Sequence, residues 1–137
     1  MKNRFEGHGL CIDGLVFLSP AEALHFLEED AVLVDLRQDF EKNGREFQVR
    51  DLISLPHPEL ATSYGTLPRD RPLILADCVG LMSKQALCFL SERGYASVAS
   101  LNGGILDWEK DGLPLLIDRD GELTGGCACR LRRRNLR

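Results

Sequence analysis

Short apolar runs alternate along the chain with stretches of helical periodicity. Ala31-Val32-Leu33-Val34 and Leu73-Ile74-Leu75-Ala76 are continuous runs of four apolar residues, each closed by an aspartate, Asp35 and Asp77. Runs this short, with no polar alternation, predict strands buried on both faces. Leu52-Ile53-Ser54-Leu55, ended by Pro56, predicts another short strand, and Ser97-Val98-Ala99-Ser100-Leu101 a further one. Leu115-Leu116-Ile117 reads as a last extended segment.

Between the runs the period changes. Ser19-Pro20-Ala21-Glu22 is a helix start: Ser19 suits the N-cap, Pro20 the first helical position, and Glu22 closes a capping box. Ala23, Leu24, Phe26 and Leu27 then give one apolar face. Ser83 to Arg93 carries Ala86, Leu87 and Leu90 on one side, an amphipathic pattern stopped by Gly94. Phe40 to Glu46 is polar and predicts a helical turn. Ile105 to Lys110 predicts a short helix between the turns Asn102-Gly103-Gly104 and Asp111-Gly112-Leu113-Pro114. Residues 1–16 are weakly patterned and are expected to form an irregular lead-in. Strands alternating with helices predict an α/β domain: a mostly parallel central sheet flanked by helices, in three layers. In such sheets ligands bind beyond the carboxyl ends of the strands. Cys78 stands at that place, directly after the run 73–76.

Composition adds bounds. A chain of 137 residues that is 44% hydrophobic and 28% charged has the size and make-up of one globular domain. No apolar run approaches the roughly 20 residues a spanning helix needs, and the start lacks the apolar core of a signal peptide. A cytoplasmic protein without membrane association is the expectation. The net charge of −4 hides an asymmetry: all 21 acidic residues lie at or before Glu122, and the last fifteen residues hold five arginines. The acidic body argues against nucleic acid as a partner, whereas the basic tail suits an anionic one. Five cysteines, Cys11, Cys78, Cys88, Cys127 and Cys129, are unevenly spaced and odd in number, which argues against a disulfide framework. No paired Cys-x-x-Cys array for zinc is present and the glycine pairs lack a nucleotide-loop context, so neither metal nor cofactor is expected.

Three motifs in order carry a resemblance. Ala31 to Arg37 ends in Asp35-Leu36-Arg37. Leu73 to Cys78 is a strand delivering a cysteine. Leu101-Asn102-Gly103-Gly104-Ile105-Leu106-Asp107-Trp108, followed by Gly112-Leu113-Pro114, forms a closing signature. Together they resemble the rhodanese-like domain in its single-domain form, over residues 17–117. Residues 118–137 form a Cys- and Arg-rich tail outside it. The resemblance implies a sulfurtransferase of the thiosulfate:cyanide type. In that chemistry a cysteine takes sulfane sulfur from a small donor as a persulfide and passes it to a thiol acceptor, which can be a protein; a homodimer is left open. Two departures stand out. The glycine- and histidine-containing stretch that the family carries before its second strand reads Gln48-Val49-Arg50-Asp51-Leu52 here. The family's active loop runs cysteine, two residues, glycine, one residue, arginine, serine. From Cys78 this loop is one residue short, and Met82 falls at the arginine.

The expected site is therefore Cys78 as nucleophile, cradled by Val79, Gly80, Leu81, Met82, Ser83 and Lys84, with Asp35 and Arg37 in support. Backbone N–H groups of a tight loop and a helix N-terminus lower a thiol pKa and hold a bound anion. Ser83 is expected to cap the helix or donate to the bound sulfur, and Lys84 to replace part of the missing arginine charge. Methionine offers no fork of donors, so oxyanion donors such as thiosulfate are expected to be poor. Cys127 and Cys129, preceded by Gly125-Gly126, are candidate relay or resolving thiols. Cys88 and Trp108 read as core, and His57 as surface or pocket mouth. Two other classes compete: a non-catalytic rhodanese-like binding or regulatory module, and a cysteine phosphatase, which needs a longer loop and an arginine.

Overall fold

The computed structural model describes residues 3–118. Eight strands and five α-helices follow in the order β1 (Leu10–Ile12), β2 (Leu15–Leu18), α1 (Pro20–Leu27), β3 (Val32–Asp35), α2 (Asp39–Lys42), β4 (Arg45–Phe47), β5 (Leu52–Ser54), α3 (Leu60–Ser63), β6 (Leu73–Ala76), α4 (Leu81–Glu92), β7 (Val98–Leu101), α5 (Gly104–Lys110) and β8 (Leu115–Ile117). Single 3₁₀ turns, His57–Glu59 and Tyr64–Thr66, flank α3.

Six strands form the main sheet in the order β1-β2-β7-β6-β3-β5. All neighbours run parallel except β1 and β2. The two faces of the sheet explain the continuous apolar runs. Leu33, Ile74, Ala76, Ala99 and Leu101 face a core built with α1 and α5, which contribute Ala23, Leu27, Ile105 and Trp108. Val32, Val34, Leu73, Leu75 and Val98 face the other core, closed by Leu60 of α3 and by Ala86, Leu87 and Leu90 of α4. Each central strand is thus apolar on both sides, and the three-layer α/β architecture follows. The Ser19 capping box is present: Glu22 N–H donates to Ser19 Oγ at 3.3 Å, and Ser19 N–H to Glu22 Oε1 at 3.0 Å.

Two expectations change. The lead-in is not irregular: β1 and β2 form a hairpin around Asp13 and Gly14, both with positive φ, and Phe5 is fully buried in the α1 core. The Asp-Gly turn signal was there, but only three residues pair on each side and Leu10 and Ile12 face outward, so no alternation marks the strand. The polar stretch 40–46 is also not one helical turn. The α2 helix stops at Asn43 in the left-handed region, and Arg45–Phe47 becomes a strand paired antiparallel with β8. With one apolar residue in three, β4 carries no periodicity; its partner supplies it.

Candidate functional site

β6 ends at Ala76, and a four-residue loop, Asp77-Cys78-Val79-Gly80, leads into α4 at the carboxyl edge of the sheet. Gly80 sits at the helix N-cap with φ 103°, a conformation glycine adopts freely. The loop is held from two sides. Asp77, 4% exposed, turns its carboxylate back onto the helix start: Oδ1 accepts the Gly80 N–H at 2.6 Å and Oδ2 the Met82 N–H at 2.7 Å. From α5, the Ile105 N–H donates to the Asp77 carbonyl at 2.9 Å and the Leu106 N–H to the Cys78 carbonyl at 3.2 Å. Gly104, with φ +62°, permits this approach, because a Cβ there would stand 2.5 Å from both carbonyl oxygens. The Gly-Gly pair of the closing motif is thus a seat for the cysteine loop.

Cys78 is half-buried, and its thiol donates to the Glu41 carbonyl of α2 at 3.9 Å. Burial pushes the thiol pKa up, and the Glu41 carboxylate adds to this. Arg37 opposes the shift, while Asp77 and Asp35 add to it. This direction runs against the expectation that the loop lowers the thiol pKa: two N–H groups at the helix start, those of Gly80 and Met82, are taken by Asp77, and carboxylates outnumber cations among the charges acting on the sulfur. The loop is not short either. Counted back from Gly80, the residue at the place of the family pattern's cysteine is Asp77, and Cys78 follows it.

The other residues expected at the site divide. Val79 on the loop and Leu81 at the first position of α4 are exposed, as are Leu106 and Phe40. Met82 lines an apolar cavity of about 210 Å³ together with His57, Leu60 and Phe89. Ser83 is neither cap nor sulfur donor: it is fully buried, and its hydroxyl bonds Ser100 Oγ at 2.7 Å and the Gly80 carbonyl at 3.2 Å, pinning α4 to β7. Lys84 is exposed on α4 and is not among the charges acting on Cys78; that cation is Arg37. Asp35 and Arg37 are buried as a two-point ion pair at 2.9 and 2.8 Å. Arg37 also lies over the Phe47 ring, which packs edge-on against Trp108. Cys11 is exposed on β1 and Cys88 half-buried on α4. Cys127 and Cys129 lie outside the described residues. Sequence reading missed Asp77 and Glu41: an acid closing a strand run is an ordinary boundary, and Glu41 acts through a distant turn.

These features define an α/β domain with a cysteine on a strand-to-helix loop at the carboxyl edge of its parallel sheet. The family described as Rhodanese-like domain matches residues 19–111, and the chain belongs to it. A sulfurtransferase from Allochromatium vinosum is 33% identical over 88 residues, 64% of this chain and 80% of that protein. A tRNA sulfurtransferase from Aeromonas salmonicida is also 33% identical, over 79 residues, but the match spans only 16% of its length. The crystal structure of a rhodanese-related protein from Thermoplasma volcanium superimposes with a TM-score of 0.65 at 26% identity, covering 72% of this chain and 95% of that one. The polysulfide-sulfur transferase homodimer of Wolinella succinogenes gives 0.65 at 25% identity, covering 74% and 78%. At family level the chemistry is sulfur transfer. No helix among the described residues is long and apolar enough to cross a membrane.

Proposed function

We propose that the chain is a sulfurtransferase or persulfide carrier working through Cys78 on thiol-borne sulfane sulfur. The observation that carries this reading is the position of Cys78, half-buried on the loop between β6 and α4 at the carboxyl edge of the sheet. The Cys78 thiolate attacks the outer sulfur of an organic persulfide RSSH. Its S–S bond breaks, RSH leaves, and Cys78–S–S⁻ remains. An acceptor thiolate then takes the outer sulfur and returns the Cys78 thiolate. The negative charge of Glu41, Asp77 and Asp35 around Cys78 suits a thiol-borne donor better than a dianionic oxyanion. The acceptors are small thiols or a cysteine-bearing protein, and Cys127 and Cys129 are the acceptors that belong to the chain itself. The cytoplasm, where thiols stay reduced, suits this chemistry.

The test is incubation with an organic persulfide followed by intact-mass measurement. The wild type is expected to gain one sulfur atom at Cys78 and to pass it to added thiol, and the Cys78→Ala variant to do neither. Equal transfer by that variant rejects the reading. A second reading, a non-catalytic rhodanese-like binding module, is favoured by one observation: Asp77 holds the place of the pattern's cysteine. It predicts no mass gain in the wild type with any sulfane donor.

A further inference from the structure

The start of a helix offers N–H groups to an anionic donor, and in this fold the start of α4 stands beside Cys78. Here two of those groups are occupied. The Gly80 and Met82 N–H groups bind the two oxygens of Asp77 at 2.6 and 2.7 Å, short bonds of the charge-assisted kind. The carboxylate is almost wholly buried, and its backbone is fixed by the Ile105 N–H and by the close packing of Gly104. Nor does the surrounding charge invite a second anion. Glu41 and Asp35 add negative charge at Cys78, and the cation that opposes them, Arg37, is held at two points by Asp35.

We infer that Asp77 determines donor specificity: its carboxylate is a resident anion on the loop, closing the N–H seat to oxyanions and leaving thiol-borne sulfane sulfur as the donor class for Cys78. The inference deepens the Cys78 reading and rests on it for the donor, but the occupied seat is a property of the loop alone. Asp77 positions the helix start and fills the seat; no bond of the transfer is made or broken at it. Replacing the carboxylate does three things at once. It frees at least one N–H, since an amide oxygen cannot serve both. It removes a negative charge beside Cys78. It leaves Gly80 and the α5 contacts in place.

The experiment begins with the wild-type chain and the Cys78→Ala variant, titrated with sodium thiosulfate and sodium sulfate while the Gly80 and Met82 amide resonances are followed. Neither amide is expected to move. A saturable shift at both in either protein overturns the inference without needing a further variant. Asp77→Asn and Asp77→Ala, checked for fold by circular dichroism, are then expected to show those shifts. Their Cys78 alkylation profile moves to lower pH, and the ratio of thiosulfate to organic-persulfide turnover rises about tenfold or more. In an Asp77→Cys, Cys78→Ala double variant the new thiol sits on the freed seat and is expected to gain a sulfur atom from thiosulfate. Folded Asp77 variants that leave the amides and the alkylation profile unchanged overturn the inference. If the amides respond but no variant carries sulfur, the Cys78 reading fails and the role of Asp77 stands.

Discussion

At the scale of single residues, the charges around Cys78 decide how it behaves. A thiol raised by burial and by Glu41, with only Arg37 opposing, holds a smaller thiolate fraction at neutral pH than a free cysteine. Alkylation of Cys78 by iodoacetamide, followed by peptide mass, is expected to be slower than that of free cysteine near neutrality and to rise through a titration displaced to higher pH. Glu41→Gln moves that titration back down. A Cys78 profile at or below that of free cysteine contradicts the account. The same shift fixes the sign for stability: the folded chain holds the thiol proton more tightly than the unfolded one, so this contribution is present at lower pH and is lost as pH rises beyond the ordinary thiol range. Arg37 carries a second prediction. Its removal leaves the carboxylate of Asp35 buried without its two-point partner. Arg37→Ala is expected to cost about 3–5 kcal/mol in urea unfolding, much more than removing both charges together as Asp35→Asn, Arg37→Gln. Equal losses for the single and double variants reject the buried pair as the cause.

At the scale of elements, the site is the meeting of the loop after β6 with the starts of α4 and α5, and α5 does the holding. Gly104→Ala puts a methyl group against the Asp77 and Cys78 carbonyls at a positive φ, so the loop must move off α5. The variant is expected to lose about 1–3 kcal/mol and to expose Cys78 to faster alkylation at fixed pH; unchanged stability and reactivity contradict the packing described. Much of this arrangement was legible from sequence. The runs 31–34 and 73–76 are apolar on both faces, so their place in the centre of the sheet could be read directly. The glycine pair and Trp108 marked α5. What could not be read was local chemistry that depends on where side chains turn. Ser83 has the composition of a cap, yet it falls on the face of α4 toward β7 and is consumed by Ser100. Asp77 has the composition of a strand end, yet its carboxylate folds back onto the helix start. β1 and β4 were illegible for a different reason: β1 is exposed throughout and β4 has one apolar residue in three, so both are defined by partners rather than by a pattern of their own, whereas β2 is an apolar run that was passed over.

At the scale of the whole molecule, the sequence sets a basic tail after an acidic body. β8 pairs with β4, and the Asp118 N–H donates to the Gly44 carbonyl at 2.7 Å. Gly44 lies three residues beyond Glu41, whose carbonyl accepts the Cys78 thiol hydrogen bond. The last described residue is therefore rooted on the turn that follows α2, the helix that carries Glu41. Cys127 and Cys129 follow Asp118 by nine and eleven residues, a reach of up to about 30 Å or more if extended. The five arginines after Cys129 are opposite in sign to the exposed Asp39 and to the carboxylates around Cys78. The chemistry this permits is balanced. The Cys127 thiolate takes the outer sulfur of the Cys78 persulfide, freeing the Cys78 thiolate. Cys129 then attacks the Cys127 sulfur and expels hydrosulfide. A Cys127–Cys129 disulfide remains, which an added dithiol reduces. The chain persulfidated at Cys78 and freed of donor is expected to release sulfide on its own and to become two hydrogen atoms lighter than its reduced form. The variant Cys127→Ser, Cys129→Ser is expected to keep its persulfide until an external thiol is added. Because the attack is intramolecular, the wild-type rate is expected to be independent of protein concentration; a rate proportional to concentration assigns the relay to a second copy instead. Sulfide release by the double variant at the wild-type rate, with no acceptor present, takes the tail out of the chemistry.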